Sequence, residues 1–279
     1  MIKKTWNRLK RWLKRLIRII KKPEMVILPG NISFALILSI FPSIMILGYI
    51  IFKLNISANS ILNLISLNLP DEIHDLLLKF LTSSSSSGIA FLIFAVGLFF
   101  SSNGTKSIIV AANILYKTEE KSALKRQVKS LFLVILLMFL FAFTMFVLGF
   151  GSTILKSIIN SLDGDYNTVY RVFTILKWPI SFFLIYFFVK ILYTLAPSVS
   201  IKSSTVTKGA LFTTFGWIIA TYIYSLYVTN FARYDIFYGS LSSIIVLMIW
   251  VYILSTILVI GICINAEQYL SELKENEKD

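Results

Sequence analysis

Five long stretches of this sequence contain no Asp, Glu, Lys or Arg. They cover residues 25–52, 80–105, 130–155, 209–232 and 236–266. A helix needs about 20 consecutive apolar residues to cross the roughly 30 Å hydrocarbon core of a bilayer, and lipid cannot hydrogen-bond an exposed backbone. Each of these stretches is therefore long enough to form a transmembrane helix.

A sixth apolar stretch, residues 172–195, is interrupted by Lys177 and Lys190. Along a helix these two side chains lie about 20 Å apart, so each can extend towards a different membrane interface. We therefore predict an all-α, polytopic membrane protein with about six transmembrane helices. The predicted spans lie near residues 30–52, 86–105, 130–150, 172–195, 208–230 and 240–266.

The composition excludes several other classes of protein. The chain is 57% hydrophobic and 15% charged, whereas soluble domains are about 25% charged. A single Cys and a single His exclude a disulfide framework and disfavour a zinc site, which usually needs at least two such ligands. No cofactor is therefore expected.

The positions of Lys and Arg predict the orientation in the membrane, because cytoplasmic loops carry an excess of both. With six spans both termini lie on one side. That side then holds 21 of the 27 Lys and Arg residues, from the N-terminal tail, residues 106–129, residues 190–208 and the C-terminal tail. We therefore predict a multi-pass membrane protein with both termini in the cytoplasm.

The N-terminal segment from Trp6 to Ile20 has the periodicity of an amphipathic helix. Its apolar face is formed by Trp6, Leu9, Leu13, Leu16, Ile17 and Ile20, and its Arg and Lys residues lie mostly on the opposite face. This pattern is typical of a helix that lies in the membrane interface against anionic lipids. A simple orientation signal is the alternative, and nucleic-acid binding is disfavoured. The predicted organisation is a basic amphipathic helix in 1–29, a transmembrane domain in 30–268 and an acidic tail in 269–279.

Residues that could carry catalysis are scarce. We find no motif of a metalloprotease, a serine hydrolase, a P-loop or a dinucleotide-binding fold. Asp163-Gly164-Asp165 is better explained as a turn than as part of a calcium loop. His74, between Asp71 and Asp75, is best explained as a solvated side chain. We therefore expect the protein not to be an enzyme.

Polar residues inside the predicted spans are the candidate functional residues. An unpaired amide in hydrocarbon is costly, so these groups either hydrogen-bond between helices or line a polar route for a substrate. Pro42 is expected to kink the first span near Ser39. The candidates for a route or for helix packing are Ser39, Pro42, Ser102, Asn103, Asn113, Asn230, Tyr238, Gly239, Asn265 and Glu267. Small residues such as Gly209, Gly216, Gly239 and Gly261 are expected to serve close helix packing.

An ordered series of short motifs over about residues 8–268 resembles the YihY/BrkB family of membrane proteins. The motifs are Phe34-Ala35, Ser39 to Pro42, Ala112 to Tyr116, Leu195 to Pro197, Lys208 to Ala210, Gly216-Trp217, Tyr227 to Phe231, Tyr238 to Leu241, Trp250 to Tyr252, Gly261 and Asn265 to Glu267. The resemblance implies a bacterial inner-membrane protein with six helices. This sequence departs from the family pattern at Gly261-Ile262-Cys263, where many relatives carry a carboxylate soon after the glycine.

The resemblance says less about activity. The family carries an older label as a tRNA-processing ribonuclease, and some members are linked to virulence or to lipid and lipopolysaccharide export. A chain with one His and no visible cluster of metal ligands disfavours the nuclease label. We expect transport or flipping of a lipid-like or amphiphilic substrate. The alternative is a membrane scaffold, or envelope-integrity factor, that transports nothing.

Overall fold

A computed structural model describes residues 14–53, 87–119, 122–139, 166–231 and 242–276. These residues form seven helices and no strand, which confirms the all-α prediction. In chain order the helices are α1 (14–20), α2 (Glu24–Lys53), α3 (Ser87–Tyr116), α4 (123–139), α5 (Tyr166–Leu195), α6 (Thr207–Phe231) and α7 (Ser242–Asn276).

The described part of each predicted span falls within one of the helices α2 to α7, to within a few residues. Residues 140–150 of the third predicted span lie outside the described residues. Two segments of the described chain are long and apolar enough to cross a membrane, namely Thr207–Tyr227 and Ile245–Asn276. Two shorter apolar segments are Glu24–Ser39 and Pro179–Leu195. The total of six crossings stays a prediction.

Helix α7 lies at the centre of the packing. It contacts α2, α3 and α6, while α2 packs along α3, and α6 packs against α5. Residues 258–266 of α7 are all buried. This run of buried residues lies at the end of the last span that is predicted to be cytoplasmic.

Many large apolar side chains point away from this core. Val26 is 77% exposed, Phe139 is 67% exposed and Phe183 is 65% exposed. Soluble monomers rarely expose apolar patches larger than a few hundred Å². The outer faces of the helices are thus suited to contact with lipid.

Helix α1 packs on the bundle through a face that the periodicity did not predict. Ile19 is fully buried in the core, whereas Ile17 is 54% exposed and Ile20 is 55% exposed. Residues Arg15, Ile19 and Lys22 follow the spacing of one helical face, and this face lies against α7. Within α1 the apolar face predicted for lipid is therefore only partly correct. Ile17 and Ile20 are exposed as predicted, whereas Leu16 packs on the core. Residues 1–13 lie outside the described residues.

Helices α6 and α7 approach each other through glycines. A Cβ atom on Gly209 would collide with the carbonyl oxygen of Gly261 and with the side chain of Asn265. A Cβ atom on Gly261 would collide with Thr213 and Tyr193. A Cβ atom on Gly216 would lie 2.7 Å from a methyl group of Ile257. The prediction that these three glycines serve close packing is confirmed, while Gly239 lies outside the described residues.

Candidate functional site

Ser39 and Ser102 lie where α2, α3 and α4 meet. The hydroxyl of Ser39 donates to the carbonyl of Ala35 at 2.7 Å, and the backbone amide of Gly104 donates to the same hydroxyl at 3.2 Å. The hydroxyl of Ser102 accepts a hydrogen bond of 2.9 Å from the side chain of Gln127. Both serines are buried and connect neighbouring helices.

Asn113 connects α3 to the loop between α5 and α6. Its Nδ2 donates to Ser198 Oγ at 2.8 Å, and the backbone amide of Ser198 donates to Asn113 Oδ1 at 2.8 Å. The hydroxyl of Thr118 also donates to Oδ1 at 3.2 Å. The Asn113 side chain thereby fixes a loop to a helix end.

Asn265 holds the start of α6. Its Oδ1 accepts a hydrogen bond of 2.8 Å from the backbone amide of Gly209. Gly209 lies in the first turn of α6, where backbone amides have no partner within the helix. Asn265 therefore caps α6 from the neighbouring helix α7. Its Nδ2 is buried and has no hydrogen-bond partner among the described residues.

Glu267 forms an ion cluster with two residues from the N-terminal segment. Its Oε2 accepts a hydrogen bond of 2.9 Å from Arg15 Nε, and its Oε1 accepts one of 2.7 Å from Lys22 Nζ. Lys22 also donates to the sulfur of Cys263 at 3.2 Å, and Arg15 donates to the carbonyl of Ile264 at 3.2 Å. This cluster attaches α1 and the start of α2 to α7.

The electrostatics of this cluster favour the charged state of both partners. Partial burial opposes both charges, but the hydrogen bonds and the opposite charges outweigh it. Lys22 and Arg15 hold the pKa of Glu267 below its ordinary value of 4.5. Hydrogen bonds to Glu267 and Cys263 hold the pKa of Lys22 above its ordinary value of 10.5. Glu267 and Lys22 are therefore both ionised throughout the neutral range.

The structure gives less information about the remaining candidate residues from the sequence. Asn103 is half-buried in α3. Pro42 and Asn230 lie within α2 and α6, and their side chains are outside the described residues. Tyr238 and Gly239 also lie outside the described residues. Helix α2 is continuous through Pro42, and the kink near Ser39 stays a prediction.

A groove runs along α6 between α1 and α7, and we call it the α6 groove. Its volume is about 510 Å³. Six of its lining residues recur along one face of α6, and α1 and α7 contribute one residue each. The lining residues are Arg15, Lys208, Leu211, Phe212, Phe215, Gly216, Ile219 and Ile264. The groove thus has two cationic residues and an otherwise apolar wall.

Sequence reasoning missed both the α6 groove and the ion cluster. Arg15 and Glu267 are separated by 252 residues, and nothing in the local pattern of α1 distinguishes Arg15 from the other Arg residues. Lys208 entered only the count of cytoplasmic charges and one motif of the family resemblance. Its position at the head of an apolar stripe with spacings of three and four residues is the signal that could have indicated the groove.

No metal site is visible in the parts of the chain described above, because they contain no group of three or more His, Cys, Asp or Glu side chains. The acidic residues Asp71, Asp75, Asp163 and Asp165 and the single His74 lie outside those parts.

Comparisons with known proteins identify relatives over nearly the whole length. The putative ribonuclease-like protein YfkH of Bacillus subtilis is 29% identical over 242 residues, which cover 85% of this chain and 87% of the relative. A UPF0761 membrane protein of Vibrio atlanticus is 26% identical over 256 residues, with 85% and 75% covered. The UPF0761 membrane protein VV0203 of Vibrio vulnificus is 27% identical over 259 residues, with the same coverage.

No solved structure matches the chain. The model of one family, described as virulence factor BrkB, matches residues 18–279. This match includes all the described helices except the first residues of α1. The chain therefore belongs to the virulence factor BrkB family of membrane proteins.

Proposed function

We propose that this protein crosses a bacterial inner membrane six times, with both termini in the cytoplasm, and that it moves a lipid-like amphiphile across the bilayer. The observation that carries the proposal is the α6 groove. An apolar wall along a transmembrane helix suits an acyl chain, and cations at one end of that wall suit a polar head.

Contacts among the charged segments support the proposed orientation. The positive-inside count assigns four segments to the cytoplasmic side, and these segments contact one another. The N-terminal segment meets α7 just before the C-terminal tail, through Arg15 and Glu267. Lys129 donates to the carbonyl of Pro197 at 2.6 Å, and Thr205 donates to Glu272 at 3.3 Å. Segments that contact each other in this way are suited to one side of a membrane.

Transport is tested by reconstituting the purified protein into liposomes that contain fluorescent lipids in both leaflets. A membrane-impermeant quencher then bleaches only the outer leaflet, unless lipids exchange between the leaflets. We expect the protein to make nearly all of the fluorescence accessible to the quencher. Protein-free liposomes are the control. Exchange no faster than in that control, across a panel of lipid headgroups, would contradict the proposal.

A scaffold that transports nothing is the second candidate function. It is favoured by Asn113, whose side chain is used for hydrogen bonds that hold the fold together. We expect Asn113→Leu to destabilise the fold by about 1–3 kcal/mol, because both bonds to Ser198 are lost from a buried site. The measurement is the thermal unfolding temperature in detergent. Ser198→Ala, which removes the hydroxyl and leaves the backbone bond to Oδ1, serves as the milder control.

The same variant also separates a lipid route through the α6 groove from a polar route through Asn113. Asn113 does not line the α6 groove, so transport through the groove predicts normal lipid exchange per folded molecule of Asn113→Leu. A polar route through Asn113 predicts that exchange is lost while the protein remains folded. A pure scaffold predicts no exchange in either protein.

We also infer that the chain is not an enzyme. The relative YfkH is named ribonuclease-like, so the inference needs its own test. Incubation of the purified protein with RNA and divalent cations is expected to give no cleavage. Metal-dependent cleavage that is abolished by substituting a carboxylate would overturn the inference.

A further inference from the structure

The α6 groove has the dimensions of one leaflet. Its α6 residues run from Lys208 to Ile219, which corresponds to about 16 Å along the helix axis. One leaflet of the roughly 30 Å hydrocarbon core is about 15 Å deep. The apolar wall therefore matches the depth that a single acyl chain occupies in one leaflet.

The charge of the groove is concentrated at one end. Lys208 lies in the first turn of α6, and Arg15 reaches the groove from α1. No carboxylate among the described residues lies within ion-pair distance of Lys208, and Glu267 is shared between Arg15 and Lys22. This end of the groove therefore has more cations than carboxylates, and its net positive charge favours binding of an anionic group.

The apolar end is open to the surroundings of the bundle. Leu211 is 37% exposed, Phe215 is 54% exposed and Ile219 is 56% exposed. In a bilayer these side chains would face lipid chains rather than water. A soluble anion would use only the cationic end, so the combination of both ends favours a lipid.

We propose that the α6 groove binds one anionic phospholipid, with the headgroup phosphate between Arg15 and Lys208 and one acyl chain along Leu211, Phe215 and Ile219. The inference rests on the proposed function and deepens it, since it names the chemical class of the amphiphile. It places the headgroup at the cytoplasmic interface, next to the ion cluster that holds α1.

The site is tested by native mass spectrometry of the delipidated full-length protein in detergent. Phosphatidylglycerol is the anionic probe and phosphatidylcholine is the zwitterionic one. We expect phosphatidylglycerol to bind more tightly. Lys208→Gln is expected to weaken phosphatidylglycerol binding about fivefold, the effect of one cation near a lipid surface. Lys202→Gln, an exposed lysine in the preceding loop, is the matched control and should leave binding unchanged.

A second pair of variants tests the acyl-chain part of the groove. Ile219→Trp fills the far end and is expected to weaken binding of both phospholipids. Ile223→Trp, one turn further along α6 and outside the groove, is the control, because Ile223 is 58% exposed. Both variants leave the charges intact, so they separate steric exclusion of a chain from loss of headgroup attraction.

Several outcomes would overturn the inference. Equal binding of the two phospholipids would remove the preference for an anionic headgroup. Equal effects of Lys208→Gln and Lys202→Gln would indicate general surface charge. A dimer that Ile219→Trp dissociates, with lipid binding unchanged, would show that a second copy of the chain fills the groove. Inorganic phosphate that competes fully with the lipid would assign the cationic end to a soluble anion.

The two proposals fail separately. Binding is measured in detergent without any transport, and lipid exchange is measured in liposomes. Site-specific phosphatidylglycerol binding without lipid exchange would retain the lipid site and remove the transport proposal. Lipid exchange without a preference for phosphatidylglycerol in binding would retain the transport proposal and remove the lipid site.

Discussion

Replacing Gly209 by Ala is expected to lower the thermal unfolding temperature by about 5–10 °C, which corresponds to overpacking by roughly 2–3 kcal/mol. The new Cβ would fall on the backbone carbonyl of Gly261 and on the oxygen of Asn265 that caps α6. A backbone atom cannot rotate away as a flexible side chain can. The two helices would have to separate, and the hydrogen bond from the Gly209 amide would lengthen or break.

Gly30→Ala is the matched control, since it makes the same change within a helix where no atom lies within 4 Å of the new Cβ. Alanine has the higher helix propensity, so this control is expected to be neutral or slightly stabilising. Unfolding is followed in detergent by circular dichroism. A Gly209→Ala protein as stable as Gly30→Ala would show that α6 and α7 do not touch at this point.

Replacing Glu267 by Gln is expected to increase the reactivity of Cys263 towards a thiol reagent about tenfold. The single Cys of the chain is buried, and Lys22 donates a hydrogen bond to its sulfur. The substitution removes the charge that holds both Arg15 and Lys22, while the amide keeps the size of the side chain. Loss of roughly 1–2 kcal/mol from partly exposed ion pairs changes the population of the undocked state by about 5–30-fold.

Glu272→Gln is the matched control, because Glu272 lies on the same helix and bonds to Thr205 and Gln268 rather than to α1. Cys263→Ser defines the unreactive baseline. Equal reactivity in Glu267→Gln and in the unsubstituted protein would show that the cluster does not hold α1 in place.

The contribution of the ion cluster to the stability of the fold depends on pH, and the two pKa shifts give the sign of that dependence. The lowered pKa of Glu267 means that its contribution to stability is fully present above about 4.5 and is lost as the pH falls through the folded pKa. The raised pKa of Lys22 means that its contribution is present below 10.5 and is lost as the pH rises through its folded value. The difference in unfolding temperature between the unsubstituted protein and Glu267→Gln should therefore be constant at neutral pH and disappear in acid.

The sequence predicts the helices well because the lipid-compatible stretches are long. It predicts helix ends less well. The predicted second span ends at residue 105, before Lys106, yet α3 continues to Tyr116, because a charged residue ends a stretch suited to lipid without ending a helix. The helix ends where Lys117 adopts a positive φ of 54° and the amide of Thr118 bonds back to the carbonyl of Asn113.

The candidate polar residues were predicted by type, and their partners were not. An amide in an apolar span must find a partner, which predicts that Asn113 and Asn265 form hydrogen bonds without saying with which residue. Those partners are a loop serine and a first-turn amide of another helix. The pairing of Glu267 with the N-terminal segment depends on how the two ends of the chain meet. Periodicity within one helix contains no information about this.

The glycine contact between α6 and α7 also restricts how the molecule can change shape. Two backbones in direct contact, with Tyr193 and Thr213 filling the space beside them, cannot slide or rotate past each other without a collision. We therefore expect α6 and α7 to move as a single rigid body in any change of conformation. Helix α1 is attached by partly exposed ion pairs and by Leu16 and Ile19, so we expect α1 to move relative to this pair more easily than α6 moves relative to α7.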